Sequence, residues 1–138
     1  MSIRLATTDD TSVIADALYD YVEQSRWSLV YTHWPTRKVL KEFVTQQLTN
    51  PRSLLLVYEH EGIVTGFCGV TLSQFYTPPF IKTMFEWGWY GEPKVAASLW
   101  RQCCDWAKER GVELAGRGSI TENSTHEKVV EQMTWRRL

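Results

Sequence analysis

Cysteine is scarce in this sequence, and its spacing argues against two common kinds of site. The chain has three cysteines, Cys68, Cys103 and Cys104, an odd number without the paired spacings of zinc sites. Cys103 and Cys104 are adjacent on a predicted helix, so their side chains point in different directions. We therefore expect buried free thiols in a reducing compartment, and neither a disulfide framework nor a metal site.

The sequence also lacks a strong charge of either sign and any long hydrophobic run. Its formal net charge is −1, which gives no electrostatic reason to expect nucleic acid or an anionic membrane as a partner. No apolar run approaches the roughly 18 residues needed to span a bilayer, and no signal peptide opens the chain. These absences predict a cytoplasmic protein.

What the sequence does contain is enough apolar side chain for one packed domain. Of its 138 residues, 43% are hydrophobic and 22% charged, so we expect residues 1–138 to form a single domain. Seven tryptophans are many for this length. Some belong in the core, and others are candidates for an interface with a protein partner or a second copy of the chain.

Hydrophobic periodicity predicts strands and helices in the order β-α-α-β-β-β-α-β-α. The predicted strands are Ile3–Ala6, Ser53–Glu59, Ile63–Ser73, Lys82–Tyr90 and Val112–Ser119. The predicted helices run from Asp10 to about Ser25, from Thr36 to Asn50, from Pro93 to Gly111 and from His126 to Met133. This order indicates an α/β fold with a central antiparallel hairpin and a strand–helix–strand unit near its end.

The stretch Lys82–Gly111 organises this pattern. An aromatic strand runs through a short turn, with Gly91 and Pro93, into an amphipathic helix. A helix that begins directly after a strand offers unpaired backbone N–H groups and its positive dipole end to an anion. The turn is therefore a candidate anion-binding site.

Two motifs and the element order resemble the GNAT superfamily of acyl-CoA-dependent N-acyltransferases. The segment DWAKERGVEL, Asp105–Leu114, is similar to the end of the central GNAT helix and the following strand. Residues 123–135 read NSTHEKVVEQMTW, where the family typically has N-x-x-A-x-x-L-Y-x-x-x-G-F, so that Asn123, Val129 and Trp135 match. The strand EWGWY also resembles the fourth strand of members encoded by bacteriophages.

The resemblance implies a GNAT-like mixed sheet flanked by helices, truncated at its C-terminal strands. It also implies that acetyl-CoA binds in an opening between the fourth and fifth strands, with its pyrophosphate on the loop before the next helix. On this sequence the implied contacts are those of the loop and of the late asparagine: Gly91, Lys94, Val95, Ala96 and Asn123.

The sequence departs from the family pattern in the phosphate loop. The family reads Arg/Gln-x-x-Gly-x-Gly/Ala there, and these positions fall on Gly91, Lys94 and Ala96, of which only Ala96 is an accepted residue. Glu92 adds a negative charge where a diphosphate would lie. Lys94 can offset that charge as a point-charge partner.

The catalytic positions are altered as well. The tyrosine that protonates the departing thiolate in many members is replaced by Val130. Glu86 on the fourth strand is our candidate base for the attacking amine, with a solvent-facing strand carboxylate as the alternative. Tyr76 and Tyr90 are possible substitutes for the missing acid, and His33 is the one histidine worth testing.

Strict alternation along the strand gives a prediction about side-chain direction. Glu86 should share a face with Met84 and Gly88, whereas Trp87 and Trp89 should face the opposite side of the sheet.

Two functions from different classes follow. The first is an enzyme that transfers an acetyl group from acetyl-CoA to an amine of a small molecule or a protein. The second is a catalytically inactive GNAT-fold protein with a binding or structural role, for example in a bacteriophage virion. The altered loop and the lost tyrosine favour the second, whereas direct attack by a well-positioned amine needs no acid and keeps the first open.

Overall fold

The computed structural model describes residues 2–24, 36–122 and 129–138. Three helices, a short 3₁₀ turn at Thr8–Asp10 and six strands lie within them. The helices are α1 (Thr11–Gln24), α2 (Arg37–Thr49) and α3 (Pro93–Lys108). The strands are β1 (Ser2–Leu5), β2 (Ser53–His60), β3 (Ile63–Gln74), β4 (Lys82–Tyr90), β5 (Leu114–Glu122) and β6 (Val129–Arg137).

The six strands form one mixed sheet in chain order, β1 to β6. The pairs β1–β2, β2–β3 and β3–β4 are antiparallel. The pair β4–β5 is parallel, and the pair β5–β6 is antiparallel again. Helix α3 is the crossover that parallel neighbours require. The predicted α/β class is therefore confirmed, as is the element order from β1 to β5.

The predicted last helix, His126–Met133, is wrong over residues 129–133, which belong to β6. β6 pairs with β5 along its whole length, from Val129 opposite Glu122 to Arg137 opposite Leu114. β-Branched residues in this segment suit a strand, and pairing with the adjacent β5 outweighs the helical spacing seen in the sequence. The sequence reading did not predict this sixth strand, which lies at the edge of the sheet beside β5.

Each face of the sheet packs against different helices. One core cluster combines α3 with the facing residues of the strands: Leu54, Leu56, Cys68, Val70, Met84, Leu99, Trp100, Cys103, Cys104, Ala107, Val112 and Ala115. The other covers the face next to α1 and α2, with Ile14, Val44, Leu55, Val57 and Phe67. Consecutive β2 residues alternate between the two clusters, as the period of a strand requires.

Arg4 and Asp10 join β1 to the start of α1. The Arg4 guanidinium donates to both oxygens of Asp10, at 2.8 and 3.1 Å, and to Glu59 Oε1 at 3.1 Å. The backbone N–H of Thr7 also donates to Asp10, at 2.8 Å. The hydrogen bond from Arg4, followed by that from Thr7, lowers the pKa of the Asp10 carboxyl against the effect of burial.

Helix α2 begins as its sequence predicts. The Thr36 hydroxyl accepts a hydrogen bond from the N–H of Val39 at 3.2 Å, which caps the helix.

Among the described residues, no helix is both long and apolar enough to cross a membrane.

Candidate functional site

β4 and β5 separate at one end of the sheet. Their parallel pairing is limited to three positions, and the last joins Phe85 to Gly116. Beyond it, β4 continues to Tyr90 while β5 continues to Glu122 and stays paired with β6. The edge of residues 87–90 that faces β5 is therefore unpaired with any described strand, and its backbone N–H and C=O groups border the opening between the two strands.

The turn from β4 into α3 depends on a close backbone approach between two glycines. Gly91 has a φ of +136°, a conformation that side chains rarely adopt. A Cβ on Gly91 would lie 3.3 Å from Val95 Cγ1 and 3.4 Å from the Cα of Gly66. Gly66 and Gly91 therefore approach each other closely where β4 ends, just before α3 begins.

Helix α3 starts with unsatisfied backbone donors. Its N-cap residue, Glu92, makes no side-chain capping hydrogen bond, and Pro93 at the first helical position has no N–H. The N–H groups of Lys94 and Val95 have no acceptor among the described residues, and Ala96 makes the first bond of the helix, at 2.8 Å, to the Glu92 carbonyl. These donors and the helix dipole favour a negative charge at this end.

A cavity of about 480 Å³ lies at the opening, beside this helix end. Its lining residues come from the end of β4, the turn, the first turns of α3 and the β5–β6 pair: Trp89, Gly91, Pro93, Ala96, Ala97, Arg117 and Thr134. A mostly apolar cleft with a few polar groups is typical of a small-molecule site.

Arg117 of β5 places a positive charge in this cavity. Its guanidinium carbon lies 5.1 Å from the centre of the Trp89 ring and 4.9 Å from that of Trp100, within the range of cation–π contacts. None of the ion pairs among the described side chains includes Arg117. Sequence reasoning missed this residue. The available signal was an arginine between two glycines, Gly116 and Gly118, in a strand that is polar for a central position.

The candidate base Glu86 lies where β4 and β5 separate, one residue beyond their last pair. It is half-buried and stands opposite Val70 on β3, so its side chain is on the α3 face of the sheet. Glu86 also interacts with another residue of the chain.

The predicted directions of Gly88 and Trp89 are wrong because β4 contains a bulge. Gly69 pairs with Gly88 but Val70 pairs with Glu86, which leaves Trp87 as an extra residue on β4. The bulge shifts the alternation by one, so Gly88 faces α1, where its Cβ would lie 2.8 Å from Leu18 Cδ2.

Beyond the bulge, Trp89 lies on the α3 face with Glu86. Of the two tryptophans, Trp87 faces the side that the strict alternation predicts, and it packs against Phe43 with ring centres 5.0 Å apart. Trp89 instead lines the cavity, 43% exposed and next to Arg117. The bulge therefore brings an indole into the site that alternation alone would place elsewhere.

The other predicted site residues are distributed around the turn. Ala96 is buried and lines the cavity, while Lys94 is exposed on the first turn of α3. Val95 points to a second cavity, of about 660 Å³, on the β2–β3 side of the turn, which Tyr90 also lines. Asn123 lies outside the described residues.

Neither of the two candidate tyrosines lines the first cavity with Arg117. Tyr76 is 95% exposed and lines a different cavity near the start of β4, and Tyr90 stacks on Phe67 at 6.5 Å. His33 lies outside the described residues. Thr134, where the family has glycine, is at the wall of the cavity.

All three cysteines are free and buried, as predicted, with Cys68 on β3 and Cys103 and Cys104 on α3. A hydrogen bond with Cys103 and burial raise the pKa of the Cys68 thiol, and burial raises that of Cys104. All three pack in the core cluster between α3 and the sheet. No cluster of metal-binding side chains occurs in the described part of the chain.

No protein-family model matches this chain, and no curated protein matches it either.

Solved structures do share its fold. A ribosomal-protein-alanine N-acetyltransferase from Brucella melitensis has a TM-score of 0.68 at 18% identity, with 91% of this chain and 78% of that chain covered. An acetyltransferase from Vibrio fischeri has a TM-score of 0.65 at 15% identity, with 85% and 94% covered. The protein yncA of Salmonella typhimurium, assigned as an acetyltransferase and solved with its cofactor acetyl-CoA, has a TM-score of 0.63 at 21% identity, with 91% and 73% covered. The chain thus has the mixed α/β fold of the GNAT acetyltransferases.

Proposed function

We propose that this protein is an acetyl-CoA-dependent N-acetyltransferase that acts on an amine. The observation that carries the proposal is the opening between β4 and β5, which ends at the free N-terminus of α3 and contains a cavity of about 480 Å³. The shared fold supports it, and so does the neighbour from Salmonella typhimurium that was solved with acetyl-CoA. The second hypothesis, a non-catalytic protein of the same fold, is tested by the same assay.

The residues at the opening fit acetyl-CoA. Its pantetheine arm is a narrow chain with two amides, and the unpaired edge of residues 87–90 can exchange hydrogen bonds with such a chain as a strand would. Its diphosphate is an anion, and the N–H groups of Lys94 and Val95 are donors at a positive helix end. Glu92 opposes the anion with its own charge, but it is an exposed N-cap residue that solvent screens.

The chemistry needs a neutral amine beside the acetyl carbon. Acetyl-CoA supplies the acetyl group as a thioester, which an amine can attack directly. In the proposed mechanism the edge of β4 holds the thioester near the point where the strands separate, and the Glu86 carboxylate at that point accepts a proton from the amine, directly or through one water. The amine nitrogen forms a bond to the acetyl carbon, the carbon–sulfur bond breaks, and CoA leaves as a thiolate that takes its proton from solvent.

A thiol-release assay tests this proposal. The protein is incubated with acetyl-CoA and a panel of amines, and free CoA is followed with a thiol reagent. The protein's own thiols are 0–3% exposed, so they add little background while the fold is intact. We expect amine-dependent CoA release, and a decrease in kcat/KM of about 10²- to 10⁴-fold for Glu86→Gln.

Glu113→Gln is the matched control, because Glu113 is an exposed carboxylate at the start of β5, away from the opening. It should release CoA at the rate of the unmodified protein. No CoA release with any amine, together with no binding of acetyl-CoA at millimolar concentration, would contradict the proposal and favour the non-catalytic alternative.

A further inference from the structure

We infer that Arg117 supplies the positive charge that binds the diphosphate of the acyl donor, from β5 rather than from the loop before α3. This inference rests on the proposed function and identifies the residue that compensates for the altered loop. The loop itself contains Gly91 at its expected basic position and Glu92 beside it, so its side chains provide little net attraction for an anion.

The position of Arg117 fits this role. β5 separates from β4 after Gly116, so Arg117 is the first β5 residue that faces the opening instead of a paired β4. Its side chain lines the same cavity as Gly91 and Pro93 at the start of α3. A guanidinium and the free N–H groups of the helix end thus border one space, and each of them favours an anion there.

The environment of Arg117 also orders its side chain. Contacts with the rings of Trp89 and Trp100, at 5.1 and 4.9 Å, restrict a long flexible side chain, because it lies against two aromatic rings and Trp100 is buried in the core. Aromatic rings contact the flat face of a guanidinium, so the N–H groups at its edge stay available for two parallel hydrogen bonds to phosphate oxygens. An ordered arginine binds an anion at a lower entropic cost than a free one.

The test compares two ligands and two arginine variants by calorimetry. Acetyl-CoA contains the diphosphate, whereas S-acetylpantetheine has the same thioester and arm without it. Arg117→Gln removes the proposed contact. Arg110→Gln is the matched control, because Arg110 also stacks on an indole, Trp106 at 4.4 Å, but lies at the other end of α3.

We expect Arg117→Gln to weaken acetyl-CoA binding by about 10- to 100-fold, the usual effect of losing a charge-assisted hydrogen bond. Binding of S-acetylpantetheine should stay within about twofold of the unmodified protein, and Arg110→Gln should change neither ligand. If Arg117→Gln does not fold, Arg117→Lys replaces it. Lysine keeps the charge but loses the paired donors, so an intermediate loss for acetyl-CoA alone is expected.

Three results would overturn the inference. Unchanged acetyl-CoA binding in Arg117→Gln would show that the arginine does not touch the anion. Equal weakening of both ligands would show that it only shapes the cavity. Tighter acetyl-CoA binding would show that its side chain blocks the opening.

Failure of the proposed function is distinguishable from failure of this inference. If the unmodified protein binds no acetyl-CoA, inorganic pyrophosphate is titrated while the indole N–H resonances of Trp89 and Trp100 are followed by NMR. The inference then requires pyrophosphate to shift both resonances in the unmodified protein and neither in Arg117→Gln. No shift in the unmodified protein would refute Arg117 as an anion site.

Discussion

Replacing Gly69 with alanine tests the packing of the Trp87 indole at the bulge of β4. A Cβ at this position would lie 2.0 Å from Cζ2, 2.2 Å from Cε2 and 2.5 Å from Cη2 of Trp87. No real Cβ approaches a ring so closely, so the indole must move. Its edge-to-face contact with Phe43, at 5.0 Å, is then lost.

The magnitude follows from these contacts. Forcing an extra methyl group into a packed core costs about 1–3 kcal/mol, and losing an aromatic pair costs about 1 kcal/mol more. We therefore expect Gly69→Ala to lower the free energy of unfolding by about 2–4 kcal/mol. Alanine is otherwise slightly better than glycine in a strand, so backbone effects alone would give the opposite sign.

Urea unfolding of four proteins measures the effect: the unmodified chain, Gly69→Ala, Trp87→Leu and the double variant. With the indole removed, the same Gly69→Ala change should cost less than about 1 kcal/mol, which gives a coupling energy of about 2 kcal/mol. Equal costs in both backgrounds, within about 0.5 kcal/mol, would refute the contact between Gly69 and Trp87 as the cause.

Three further predictions concern the core and the β1 anchor. Thr83 is fully buried and its hydroxyl has no partner among the described residues, so Thr83→Val should raise the free energy of unfolding by about 1 kcal/mol; a loss of stability would mean that the hydroxyl is paired. Asp10→Asn should cost about 2 kcal/mol in urea unfolding, discounted because Arg4 is partly exposed. Since the folded-state pKa of Asp10 is lowered, this contribution should be complete above the unfolded pKa of about 3.9 and be lost as pH falls below it; a difference between the two proteins that persists at still lower pH would contradict the ion pair. The three buried thiols should react with a thiol reagent only as fast as the protein unfolds, and rapid reaction of the folded protein would show that they are accessible to solvent.

Much of the fold could be predicted from the sequence because its signals are local. The bounds of α2 follow from Thr36, whose hydroxyl caps the helix, and from the Asn50–Pro51 pair that ends it. The start of α3 follows from Pro93 at the first helical position. The hairpin of β2 and β3 follows from two apolar runs around Gly62, which has a φ of +77°. Each of these signals depends only on neighbours in the chain.

What the sequence could not predict depends on pairing between distant residues. The segment 129–133 has helical spacing, and only its pairing with β5 makes it a strand. The bulge at Trp87 arises from the register of β4 against β3, and a strand pattern by itself does not reveal it. Arg117 enters the site because β4 and β5 separate one residue earlier, which is again a property of the sheet.

The candidate site shows the same division. The turn and helix end around Gly91 were predicted from their local sequence, and Ala96 lines the cavity as well. Arg117 provides the positive charge of the cavity, and the Trp89 indole lies beside it. The two residues come from different strands, which the sequence alone does not place together. The roles of Glu86 and Lys94 stay predictions.

An NMR titration of the backbone amides with acetyl-CoA tests the proposed binding site most directly, since it locates the site without requiring an acceptor amine. We expect the shifted amides to cluster at residues 86–95, along the end of β4 and the first turn of α3, and at Arg117. The basic cavity lined by Arg52, Lys82 and Arg110, at the other end of the sheet, is the internal control and should not respond. No shifts at millimolar acetyl-CoA, or shifts confined to this basic cavity, would contradict acetyl-CoA binding between β4 and β5.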